Sequence, residues 1–114
     1  MLAFPGDAQW GTWHAALTEP RWQSLLRRTA VLKVGHHGSH NASPRDLIDD
    51  VLPDDIFAMV SVGRIDRWPR IPKQELLEAL AAKRIAVARS DRSDDVGAPF
   101  RAGRDGRWIE PEFG

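Results

Sequence analysis

The apolar positions of this chain fall into short runs that alternate with stripes at helical spacing. Met1 to Phe4 is an apolar run stopped by Pro5-Gly6, which predicts a sheet strand already under way at the first residue. Trp10, Trp13 and Leu17 recur at i, i+3 and i+7, one face of a short helix that Gly11 weakens. Thr18-Glu19-Pro20 predicts the next helix start, with Thr18 as cap and Pro20 in the first turn. Trp22, Leu25 and Leu26 would be its buried face, and Arg27-Arg28 its last turn, where cations suit the helix dipole. Ala30 to Val34 reads as a second strand. Ser43-Pro44 predicts a third helix, capped by Ser43, with Leu47, Ile48, Val51 and Leu52 inward and Pro53 at its end.

Ile56 to Val62 is nearly continuous apolar sequence, as in a strand covered on both faces. A loop from Gly63 to Ile71 follows. Pro72 then opens a helix that turns Leu76, Leu77 and Leu80 inward and closes at Lys83-Arg84. Ile85 to Ala88 is a fourth strand and Ser90 to Gly97 a polar loop. Asp105-Gly106, between Phe100 and Trp108-Ile109, is a hairpin turn signal. Strands that alternate with helices in this way indicate an α/β layered sheet. No repeat or linker divides the chain, so residues 1–114 are expected to form one domain.

Composition narrows the chemistry. Sixteen basic and sixteen acidic residues cancel, which gives no electrostatic footprint for nucleic acid or an anionic membrane. A nucleic acid enters only as a substrate held locally. Without cysteine there are no disulfides or thiolate metal sites, so a metal would be bound by imidazole, carboxylate or water. No apolar run approaches the roughly 20 residues of a membrane span. The first residues lack the basic start and long apolar core of a signal peptide, and the expected location is the cytoplasm.

Against that plain background one stretch stands out. Val34-Gly35-His36-His37-Gly38-Ser39-His40 leaves the second strand with three of the four histidines of the chain. Asp7 holds the equivalent place after the first strand. Ligands of open α/β sheets gather beyond the carboxyl ends of the strands. Parallel neighbouring strands would therefore bring Asp7 to the histidines, a donor set that suits a divalent cation. Simpler readings exist. Gly6-Asp7 is by itself a common turn, with the Asp bonding nearby backbone N–H groups. The spacing of His40 from His36 and His37 is that of helical ligand pairs, but Gly38, Ser39 and Asn41 argue for a loop.

Phe4-Pro5-Gly6-Asp7-Ala8, followed by Leu32-Lys33-Val34-Gly35-His36-His37-Gly38-Ser39, resembles the metallo-β-lactamase superfamily. The nearest likeness is to the hydrolase domain of competence-related DNA-uptake proteins. Val60-Ser61-Val62-Gly63, the later Pro69 and Pro72, and Ala88-Arg89-Ser90-Asp91 extend it to about residue 91. The resemblance implies the C-terminal half of an αββα sandwich, hence a partial metallo-hydrolase domain. It further implies a metal-dependent, dinuclear hydrolase of phosphoester or phosphodiester bonds, with zinc or manganese as metal and a small-molecule or phosphoester substrate. Asp7 would bridge the metals. Successive residues leaving a strand tend to point to opposite sides, so one histidine, His37, would be a ligand, and the other, His36, would support it from behind or be catalytic, as proton donor or phosphate-binding partner. Ser39 and Asn41 would bind a substrate oxygen; for Ser43, capping is the simpler role.

The superfamily's His-x-His-x-Asp-His motif does not occur in this sequence, and Arg67-Trp68-Pro69 stands where related proteins often have a histidine. His14 and Asp91 are the remaining candidate ligands. Two outcomes are therefore expected. The chain is one half of a hydrolase, completed by an N-terminal half or by self-association, or it is an inactive remnant or interaction module that keeps only the fold.

Overall fold

The four apolar runs become the four strands of one parallel sheet in the computed structural model, which describes residues 1–39, 41–63 and 69–113, without the side chains of residues 94 and 95. The strands are β1 (Leu2–Ala3), β2 (Val31–Lys33), β3 (Phe57–Val60) and β4 (Ala86–Arg89), ordered 1-2-3-4. Leu32 lies opposite Ala3 on one side and Ala58 on the other, and Ala58 opposite Val87. Between the strands run α1 (Trp10–Thr18), α2 (Pro20–Leu26) and α3 (Gln74–Ala82). A separate antiparallel hairpin, β5 (Phe100–Ala102) and β6 (Ile109–Pro111), closes the chain. No helix of the described residues is long and apolar enough to cross a membrane.

Sequential order with right-handed crossovers puts every connection on the same face of the sheet. The core lies there. Ala3, Leu32, Val34, Ala58 and Val60 of the sheet meet Trp13, Leu26, Leu47, Ile48, Leu76 and Leu80. Alternation along β3 shows the two faces, with Ala58 and Val60 buried and Phe57 and Met59 half-buried. The opposite face is covered in part by the C-terminal segment, where Phe100 and Phe113 meet Phe57 edge-on at centroid distances of 5.6 and 5.1 Å. This is the α/β class that the alternating pattern predicts. Where the resemblance implies a two-sheet sandwich, the described residues form one four-stranded parallel sheet and a two-stranded hairpin.

Several local expectations need correction. Thr18 does not cap α2. It ends α1, and its hydroxyl donates back to the carbonyl of His14 or Ala15, 3.0 Å from each. Trp22 is 52% exposed rather than buried, because α2 turns only Leu26 fully inward. The helix expected after Ser43-Pro44 forms from Arg45 but is short and wound as a π-helix over Leu47–Val51, uncapped by any side chain. There the Leu52 N–H reaches back five residues to the Leu47 carbonyl, at 2.9 Å. Leu47, Ile48, Val51 and Leu52 are nonetheless all buried, as their spacing predicts. His40 and Arg67-Trp68 lie outside the described residues.

Candidate functional site at the carboxyl rim of the sheet

Because all four strands are parallel, their carboxyl ends share one rim, and short contacts lace the four exits together. The His36 amide donates to the Gly6 carbonyl at 3.1 Å, joining the exits of β1 and β2. His37 Nδ1 meets the Ser61 carbonyl at 2.8 Å, joining β2 to β3. The Val62 amide donates to Ser90 Oγ at 2.7 Å, and that hydroxyl donates to the Val62 carbonyl at 2.9 Å, joining β3 to β4. The first contact requires a glycine: a Cβ on Gly35 would sit 2.8 Å from the Gly6 carbonyl oxygen. The loops that carry Asp7 and the histidine pair therefore touch through their backbones, as the parallel register requires.

The histidine loop has a particular backbone. Gly35–Gly38 forms a tight turn in which His36 (φ 40°, ψ 45°) and His37 (φ 57°, ψ 21°) are both left-handed. Such a conformation costs a non-glycine residue roughly 1–2 kcal/mol, although histidine enters it more readily than most. Gly38 continues the left-handed run at φ 75°, and its carbonyl accepts from the Lys73 amide at 3.0 Å, which fastens the loop to the start of α3. Strain of this kind persists only where surrounding structure holds it, and it concentrates at functional sites.

A carbonyl oxygen can only accept, so His37 Nδ1 is the donor in this contact and Nε2 is the ring nitrogen left for another partner. Metal-binding histidines are commonly oriented by this kind of contact. His36 Nδ1 is held differently, 2.9 Å from Ser39 Oγ, and its ring centroid lies 6.3 Å from that of His37. Both rings and Asp7 are exposed. Ser39 and Asn41 line a common cavity of about 420 Å³ with Trp10 and Lys73.

The other candidate ligands are engaged elsewhere. His14 stacks on Trp10 at 5.0 Å along α1. Asp91 is gripped by Arg89 through two bonds, of 3.0 and 2.7 Å, and this pairing lowers its pKa. Among the described residues, no three His, Cys, Asp or Glu side chains gather closely enough to hold a metal ion. Sequence reasoning missed the Ser61 carbonyl and the Ser90 hydroxyl. Both residues lie in stretches that carry the resemblance, Val60-Ser61-Val62-Gly63 and Ala88-Arg89-Ser90-Asp91, but nothing in those residue types assigned them to the rim.

The chain is thus an α/β protein with a histidine loop at the carboxyl rim of a parallel sheet. It is similar to Recombination protein 2 of Haemophilus influenzae, 33% identical over 95 residues, which is 83% of this chain and 11% of the relative. It is also similar to ComE operon protein 3 of Bacillus subtilis, 35% identical over 66 residues, 58% of this chain and 8% of the relative. The chain spans about a tenth of the length of these relatives. No family model matches the chain, and no solved structure matches it.

Proposed function

We propose that this chain is the C-terminal portion of a metal-dependent hydrolase of phosphoester or phosphodiester bonds, built as part of an αββα metallo-β-lactamase-like sandwich. Asp7 and His37 would hold a divalent cation, zinc or manganese, in a centre that the resemblance makes dinuclear. The observation that carries this reading is the pair of backbone-anchored contacts at the rim: His37 Nδ1 is held on the Ser61 carbonyl, and the His36 amide ties the histidine loop to Gly6, the residue before Asp7. Carboxylate oxygen and imidazole nitrogen suit either cation. Two donors are fewer than the three protein ligands of a catalytic zinc, so the reading requires a further segment or a second copy to complete the set. A bound cation supplies water activation and charge stabilisation.

The chain's own residues do the rest. His36, held by Ser39, gives a proton to the leaving oxygen. Ser39 and Asn41 position a substrate oxygen from the cavity they share. A nucleic acid would be met here as a phosphodiester, a reading that the name of Recombination protein 2 supports for that relative. Balanced charge argues against a broad electrostatic nucleic-acid surface.

Zinc and manganese content after dialysis, measured for the full chain and for Asp7→Ala and His37→Ala, tests the site. Each substitution is expected to weaken metal binding at least about tenfold, while His36→Ala keeps the metal. Unchanged metal content in both ligand variants removes the site. The second reading, a non-catalytic interaction module, draws on the absence of a three-ligand group among the described residues. It predicts no metal retention in any of these proteins.

A further inference from the structure

The sheet face turned away from the helices holds a second cavity, of about 260 Å³, between β2, β3 and the C-terminal hairpin. Its lining is chemically one-sided. Lys33 and Arg107 contribute two cations, and Ser61 and Ser93 two hydroxyls, while no carboxylate lines it among the described residues. Lys33 is half-buried. Its ammonium donates only to the neighbouring Val34 carbonyl, at 3.0 Å, and no acidic partner among the described residues pairs with it. Among the described residues, the other two donors of this ammonium make no hydrogen bond. Arg107 is held at the rim by Asp105, at 3.0 Å. The Ser90 hydroxyl is spent on Val62 and contributes nothing. By contrast, Ser61 and Ser93 make no side-chain hydrogen bond to another described residue.

The other wall is apolar and planar. Trp108 lines the cavity beside Met59 and Ile109. Its indole lies directly on Gly103, where a Cβ would collide with the ring, and the Gly103 amide donates to the Trp108 carbonyl at 3.0 Å. The ring is therefore held in place by the hairpin while remaining 49% exposed. A fixed indole offers a stacking face for a planar ring.

We propose that this cavity binds a phosphate-bearing ligand with a planar ring, a mononucleotide unit, with its phosphate on Lys33, Ser61 and Ser93 and its base against Trp108. No metal enters this site, so the inference stands apart from the reading of the histidine loop. Lys33 sets affinity through charge, and Trp108 sets preference for the ring.

The test is titration of the metal-free full chain, kept in chelator, with AMP, inorganic phosphate and adenosine, followed by calorimetry and amide chemical shifts. AMP is expected to bind more tightly than phosphate or adenosine and to shift the amides of Lys33, Ser61, Ser93 and Trp108. Lys33→Met should weaken AMP and phosphate binding about tenfold to a hundredfold and leave adenosine unchanged. Trp108→Leu should weaken AMP and adenosine but not phosphate. The wild-type shift map keeps the test decisive even if Lys33→Met does not fold. Shifts centred on residues 35–39, equal binding by Lys33→Met, or no AMP binding to the folded wild-type chain would each overturn the proposal.

Discussion

Asp91 shows how one side chain can be removed from chemistry by its neighbour. Its carboxylate receives two bonds from the Arg89 guanidinium, and both side chains are 19% exposed, so water screens the pair only in part. The guanidinium holds the Asp91 pKa below its ordinary value, chiefly through these hydrogen bonds. The sign of the linkage follows. A carboxyl with a lowered folded-state pKa adds stability that is fully present above its unfolded value, about 4. That stability is lost as pH falls through the lowered value. Urea denaturation from pH 7 down to pH 2 should show the wild type losing stability on Asp91 protonation. Asp91→Asn, which cannot titrate, should be less stable by roughly 1–3 kcal/mol at pH 7, and the gap should close toward pH 2. A constant gap across that range would mean that the pair contributes nothing through charge. The same reasoning explains why Asp91, a plausible ligand by residue type, belongs instead to the structural frame of the β4 exit.

Among the elements, the histidine loop depends on α3 as much as on the strand it leaves. A Cβ on Gly38 would stand 2.7 Å from Pro72 Cβ and 3.3 Å from Leu76 Cδ2, and its φ of 75° disfavours any other residue. Gly38→Ala should therefore cost roughly 1–3 kcal/mol, while Gly97→Ala, with open space around it, should stay within about 0.5 kcal/mol. Chemical denaturation of the two variants checks the contrast, and a Gly38→Ala protein as stable as wild type would mean that the loop is not fastened to α3. The strands and α3 were legible in the sequence because each has a local signature, namely an apolar run or the Leu76, Leu77, Leu80 stripe, of which Leu76 and Leu80 are buried while Ala79 takes the inward place expected of the half-buried Leu77. The π-helical turn was not, since apolar spacing at Leu47, Ile48 and Val51 is the same for either winding. Packing, rather than propensity, decides where the Leu52 amide bonds. Asp7 and the histidines were placed near one another by strand logic alone. The Ser61 carbonyl, 24 residues from His37, was invisible because a backbone acceptor has no residue identity.

For the molecule as a whole, the side of the sheet beyond β1 is the part that the chain leaves bare. Among the described residues β1 pairs only with β2, which leaves its other edge open. Met1, Leu2, Phe4 and Trp22 are 44%, 59%, 68% and 52% exposed, and they line an apolar groove of about 590 Å³ together with Leu25 and Ala16. Parallel sheets are ordinarily covered on both faces, and contiguous apolar surface of this kind drives association. The exposure of Trp22 follows from the same geometry: α2 packs Leu26 into the core and turns the indole toward the groove rather than away from apolar surroundings. The purified chain should therefore bind an apolar dye and sediment as more than a monomer at micromolar concentration. Phe4→Ser together with Trp22→Gln should lower dye fluorescence by roughly half and shift the protein toward monomer. Thermal stability should change little, because neither ring belongs to the buried core. A wild-type chain that stays monomeric and dye-silent would mean that the groove is too small or too polar to matter, and would remove the main physical reason for seeking a completing partner at β1. If association is seen and the double variant abolishes it, the open edge of β1 is where such a partner must dock. The metal reading then gains a direction, since any ligands supplied from outside this chain would arrive next to Asp7.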